Sequence, residues 1–194
     1  MKFSFRKTRF MPGLAFAGFL IFAVPVVAAI AAAIWLTAAA AYENVKFVRG
    51  TDQLLSLMRL AHADATADSG FGQKAGEDLI NDFVRRGQIA SPPLNSWGGE
   101  VRMQIQPLPF MRVETDVPVP SCRRLAFFFG KNAQDFNLQK MEGREGNGLW
   151  QLIYNNNAAK TDTAIAGQEI DYRTINAACG DGPVATLALT LGLR

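Results

Sequence analysis

Hydrophobic and polar positions follow different rules in successive stretches of the chain. From residue 14 to residue 42, LAFAGFLIFAVPVVAAIAAAIWLTAAAAY, there is no Asp, Glu, Lys, Arg or His. A helix of that composition is apolar all round. From Glu43 to residue 68 the polar residues return, and Val45, Val48, Leu55, Met58 and His62 recur at spacings of three or four, the period of an amphipathic helix. No turn cluster interrupts the text before Ala67-Asp68-Ser69-Gly70, so one continuous helix is predicted through both stretches. Gly50 costs this helix about 1 kcal/mol relative to alanine, and Pro25 kinks it rather than ending it. The apolar half reads as a spanning segment, and the half from 43 to 68 as a stalk whose one apolar side packs on a C-terminal head.

Residues 69–194 read as that head, a globular α+β unit. GFGQKAG, residues 70–76, is a glycine-rich loop, and GEDLINDFVRRG is a short helix with Glu77 and Asp78 at its positive end and Arg85 and Arg86 at its negative end. Turns come next at Ser91-Pro92-Pro93 and at Asn95-Ser96-Trp97-Gly98-Gly99. VRMQIQ then alternates as a half-buried strand does. RRLAFFF, with Leu125, Phe127 and Phe129 in phase, LWQLIY near 149–154, and VATLALTLGL, with Leu187, Leu189 and Leu191 in phase, are further strand candidates. Period-two strands with polar opposite faces predict a C-terminal antiparallel sheet covered on one side, with the long helix as its cover.

At about 1.5 Å per residue the run 14–42 would extend about 43 Å as a helix, enough to cross a hydrocarbon core of about 30 Å. A secretory signal cut near Ala38–Ala41 is the competing reading, although its apolar region would be unusually long. The small side chains of Ala28–Ala41 let another helix approach closely in lipid. Lys2, Arg6, Lys7 and Arg9 precede the run and Glu43 comes directly after it, which places the N-terminus in the cytoplasm and the head outside it. Those four residues also account for the formal charge of +3. The rest of the chain is close to neutral, and a nucleic-acid partner is not expected.

Cys122 and Cys179, an even pair in an oxidising compartment, read as a disulfide between the region after Pro120 and the turn before the last strand. Two cysteines and one histidine make no zinc set, and no cofactor is expected. His62 reads as a half-buried helix residue, with Asp64 at i+2 on another side of the helix, so a nucleophile–His–Asp arrangement is weak. Glu142, Glu145, Asp162, Glu169 and Asp171 read as solvated loop acids. GREGNG and GFGQKAG lack a phosphate-binding context and read as turns, and Trp97 and Trp150 as packing residues. An enzyme is not expected.

A basic leader ending in Gly13, an apolar helix continuing into an amphipathic half, a short helix, the Asn95–Gly99 turn before an alternating strand, and a cysteine pair bracketing the C-terminal third: this order resembles the type IVb pilins. Most similar are the thin-pilus pilins of conjugative plasmids, with the toxin-coregulated and bundle-forming pilins as relatives. The likeness covers nearly the whole chain, and the Trp-Gly-Gly turn and the cysteine pair are its more specific elements. It implies a type IV pilin-like fold and a filament subunit. A prepilin-type peptidase would remove residues 1–13 at the Gly13–Leu14 junction, and the apolar helices would then bundle into the fibre core. The family typically carries a glutamate five residues after the cut, which neutralises a neighbour's new terminal amine; here that position is Gly18.

The expected function is a pilin-like structural subunit, held in the inner membrane with its head in the periplasm and exported when assembled with like subunits. The alternative is a single-pass periplasmic component of a secretion or conjugation complex that does not polymerise, and Gly18 favours it.

Overall fold

A computed structural model describes the backbone of residues 12–67, 76, 78–107, 110–156 and 170–192, with side chains in the first segment from Val24 to Asp64. The basic residues of the leader, Gly70–Ala75, Glu77, Asp162 and Glu169 lie outside the described residues. The chain divides into two units, Met1–Val45 and Lys46–Arg194.

Helix α1 runs Pro12–Ala67 and contains Pro25. From Val24 to Val45 its side chains are exposed, Val24, Ile30, Ile34, Trp35 and Leu36 among them. The Thr37 hydroxyl donates back to the carbonyls of Ala33 and Ile34, at 3.1 and 2.9 Å, so its polarity is satisfied within the helix. Among the described residues one segment, Val24–Asp64, is long and apolar enough to cross a membrane, with a window of mean hydropathy 2.1 of which none is buried.

The second unit is α+β. After α1 come α2 (Leu79–Arg85), β1 (Val101–Ile105), β2 (Phe110–Pro118), α3 (Val119–Lys131), β3 (Leu138–Glu145), β4 (Gln151–Asn155), α4 (Tyr172–Cys179) and β5 (Val184–Gly192). The strands form one sheet in the order β1-β2-β5-β3-β4 with every neighbouring pair antiparallel. β5, the most apolar strand, lies at the centre. Met111, Val113, Thr115 and Val117 of β2 face inward with Leu187, Leu189 and Leu191 of β5, and Val101, Met103 and Ile105 of β1 join them.

The long helix contributes to this core by a different stripe from the one its sequence implied. Gly50, Thr51, Leu54, Leu57, Met58 and Ala61 are buried, at helical spacing, whereas Val45 and Val48 are about half exposed and His62 is exposed. Burying each Leu or Met stabilises by about 1.5–3 kcal/mol, so tertiary packing rather than the apolar count sets the face. α2 supplies Leu79, Ile80 and Phe83. Its N-cap Asp78 accepts from the backbone N–H groups of Ile80 and Asn81.

RRLAFFF is helix, not strand. Pro120 fits the first turn of α3, where a missing N–H costs nothing. Leu125 and Phe129, four apart, both point into the core, while Phe127 between them is 49% exposed. The period of two in Leu125, Phe127 and Phe129 is thus a coincidence. α4 has no counterpart among the predicted elements. Cys179 is its last residue rather than part of a turn, and Gly180, at φ 71°, ends the helix in a conformation that favours glycine.

Candidate functional site

The predicted processing and assembly positions Gly13, Leu14, Gly18 and Pro25 all lie in α1. The first three are described by backbone alone. Cys122 and Cys179 are brought together: their sulfurs are bonded and their Cα atoms stand 6.0 Å apart, joining α3 to the end of α4. Both are buried beside Leu125, Ala126 and Ile175. Arg123 reinforces the junction by donating to the Gly180 carbonyl and to Asp181 Oδ1, each at 2.7 Å.

The Asn95–Gly99 turn fixes α1 to the head, and its organiser is a residue the sequence did not single out. Asn95 is 4% exposed. Its carbonyl oxygen accepts from the N–H groups of Trp97 and Gly99, both at 2.9 Å. Its amide donates to Thr115 Oγ1 at 2.9 Å and to the Asp116 carbonyl at 2.6 Å. One side chain thus closes the turn and joins it to β2, satisfying a buried amide fully. Gly98 takes φ 83°, and Trp97 is held over Gly50. Gln53 donates to the Leu94 carbonyl at 2.8 Å from the same side of α1.

At the other end of this helical segment, Arg86 donates to both oxygens of Asp64 at 2.6 Å and pairs with the buried Asp82. The hydrogen bond to Asp64 chiefly, with the charges of Asp64 and Asp82, outweighs desolvation and raises the Arg86 pKa.

The outer face of the sheet carries a ladder of charges. Arg102 of β1 pairs with Asp116 of β2, which also accepts from the Thr186 hydroxyl of β5. Arg112 donates to Glu114 at 2.8 Å and across the sheet to Glu142 at 2.7 Å, and Lys140 meets the other Glu142 oxygen at 2.7 Å. Glu142, read from sequence as a solvated loop acid, is therefore a buried strand residue. Burial works against both charges, yet their hydrogen bonds and mutual attraction hold Glu142 below and Arg112 above the ordinary value. The guanidinium groups of Arg112 and Arg144 lie over the Trp150 ring at 4.6 and 4.4 Å. Ala188 and Thr186 of β5, on this outer side, are only 2% and 4% exposed.

Of the other acids, Glu145 accepts from the Asp181 N–H, and Asp171 caps α4. His62 lines a shallow cleft with Arg59, Asp135 and Phe136. Among the described residues no group of three or more His, Cys, Asp or Glu is arranged for a metal ion. The described elements around these residues are an exposed apolar stretch of α1, Val24–Tyr42, and a disulfide-linked α+β unit that buries α1 from Gly50 to Ala61. Asn95 was legible as a turn former, whereas its reach to Thr115 and Asp116 depends on tertiary placement.

The chain matches no protein-family model and no curated protein sequence.

Proposed function

We propose that the protein is a pilin-like structural subunit of a type IV, IVb-like filament or of a related secretion or conjugation fibre. The observation that supports it is the double use of α1. Its stretch from Val24 to Tyr42 presents an exposed, uncharged surface, and its later part, from Gly50 to Ala61, is built into the core of an α+β head. Such a helix anchors the subunit in the inner membrane with its head in the periplasm, then packs against the same helix of neighbouring subunits as the fibre grows. The alanine-rich stretch 28–41 permits close approach, and the Cys122–Cys179 bond keeps the exported surface folded. The order of leader, helix, Asn95–Gly99 turn and cysteine pair resembles the type IVb pilins and adds weight to this reading.

Gly18 favours a second reading, a single-pass envelope component that does not polymerise. A terminal amine at Leu14 has no carboxylate in the sequence before Glu43 to neutralise it, and an unpaired charge in an apolar bundle is costly. The mass of the protein recovered from cells, taken with a shear fraction, separates the two. Loss of residues 1–13 and chain in sheared fibres support the filament; an intact start with chain only in washed membranes supports the anchor.

A further inference from the structure

Helix α3 is amphipathic in an unusual sense. Its inner stripe, Cys122, Leu125, Ala126 and Phe129, belongs to the core. Its outer stripe, at i, i+3, i+4, i+7, i+8 and i+11, is Pro120, Arg123, Arg124, Phe127, Phe128 and Lys131, which is both aromatic and basic. This stripe, with Phe47 of α1 and Tyr172 of α4, encloses an open groove of about 570 Å³, within the range of small-molecule sites.

Among the described residues the lining contains three cations and no carboxylate. Arg124 lies 4.2 Å over the Phe47 ring, and among the described residues neither Arg124 nor Lys131 has an ion-pair partner. Asp181, which pairs with Arg123, is 98% exposed and so screened by water. Phe127 and Tyr172 remain 49% and 58% exposed. Exposed rings beside Arg124 and Lys131, two cations with no ion-pair partner among the described residues, fit a ligand that is anionic at one end and apolar at the other.

We propose that this groove binds the headgroup of an anionic phospholipid, with Arg124 and Lys131 on the phosphodiester and the rings of Phe127 and Tyr172 against the start of the acyl chains. The chain supplies the reason for a lipid. Phe47 comes soon after Tyr42, the last residue of the apolar run, with only Glu43 to Lys46 between them. Even fully extended, that separation spans at most about 18 Å, so while the run spans a bilayer the groove is tethered beside the headgroup layer. The proposal rests on the membrane-anchored reading above.

The test uses the full-length protein reconstituted in phosphatidylcholine nanodiscs doped with phosphatidylglycerol, with the lipids retained after detergent extraction quantified by mass spectrometry. Wild-type protein retains phosphatidylglycerol in preference to phosphatidylcholine. The exposed double substitution R124E/K131E enters the discs equally well but loses about tenfold of that preference, and R59E, elsewhere on the surface, leaves it unchanged. Equal retention of the two lipids by wild type overturns the site, as does a preference untouched in R124E/K131E. So does a double variant that loses fibre assembly while keeping its lipid, which would give the groove to a neighbouring subunit. Failure to enter any disc is a separate result: it overturns the anchored reading, and the site with it.

Discussion

The indole of Trp97 lies directly against the backbone of Gly50, so that a Cβ placed on Gly50 would stand 2.5 Å from Cζ3 and 2.7 Å from Cη2 of the ring. Glycine at this point of α1 is a packing requirement that outweighs helix propensity. Gly50→Ala would gain about 1 kcal/mol of propensity, but overpacking of a core contact costs about 1–3 kcal/mol. Net destabilisation is expected, seen as a lower denaturant midpoint of the detergent-solubilised protein. In a Trp97→Leu background the clash is relieved and Gly50→Ala becomes neutral or stabilising; a G50A penalty unchanged in that background would mean that the ring is not its cause.

The bond between Cys122 and Cys179 closes a loop of sequence separation 57. Loop-closure entropy gives about 4 kcal/mol for that length, within the range of about 2–5 kcal/mol seen on losing native disulfides. C122S/C179S should therefore unfold at clearly lower urea than the wild type, and reduction should abolish the difference between them. A reductant-insensitive wild-type midpoint would refute this.

Glu142 is held below the ordinary carboxylate range: burial opposes its charge, but the hydrogen bonds and charges of Lys140 and Arg112 prevail. A carboxylate with a depressed folded pKa adds stability that is fully present above the unfolded value of about 4.3 and is lost as pH falls through the lower folded value. Stability should therefore drop below about pH 4. Glu142→Gln should be less stable than wild type at pH 7 and show a shallower acid decline, measured as urea midpoint against pH. Parallel profiles for the two proteins would exclude Glu142 as a source of the decline.

If the missing carboxylate limits assembly, Gly18→Glu should raise the yield of sheared fibres by supplying the partner that a new terminal amine at Leu14 lacks. The readout is chain per cell in the sheared fraction against total chain. An unchanged ratio would remove Gly18 from the argument and strengthen the non-polymerising alternative.

The features legible in the sequence were those set by local rules. The uninterrupted α1, the alternation of Val101, Met103 and Ile105, and the in-phase leucines of β5 come from periodicity, and the cysteine pair from compartment. β2 was missed, although Met111, Val113, Thr115 and Val117 alternate as cleanly as β1 does. α4 was missed, although Asp171 and Gly180 are a helix-capping acid and a helix-ending glycine at its two ends. Other features depended on tertiary context. Which side of α1 is buried depends on Trp97 reaching Gly50, and the burial of Glu142 on Arg112 lying across the sheet. In α3, three consecutive phenylalanines present an apolar side to either period, and only Pro120 and the i, i+4 placing of Leu125 and Phe129 favour the helix.

The strand order has a consequence for biogenesis. β5, synthesised after the other four strands, pairs with β2 on one side and β3 on the other, so the sheet has no centre until the ribosome has delivered residues 184–192. Until then β2 and β3 each present an open edge, the feature that invites edge-to-edge aggregation. A product of premature termination before Val184 would carry two such edges and should be a preferred substrate for chaperones and proteases.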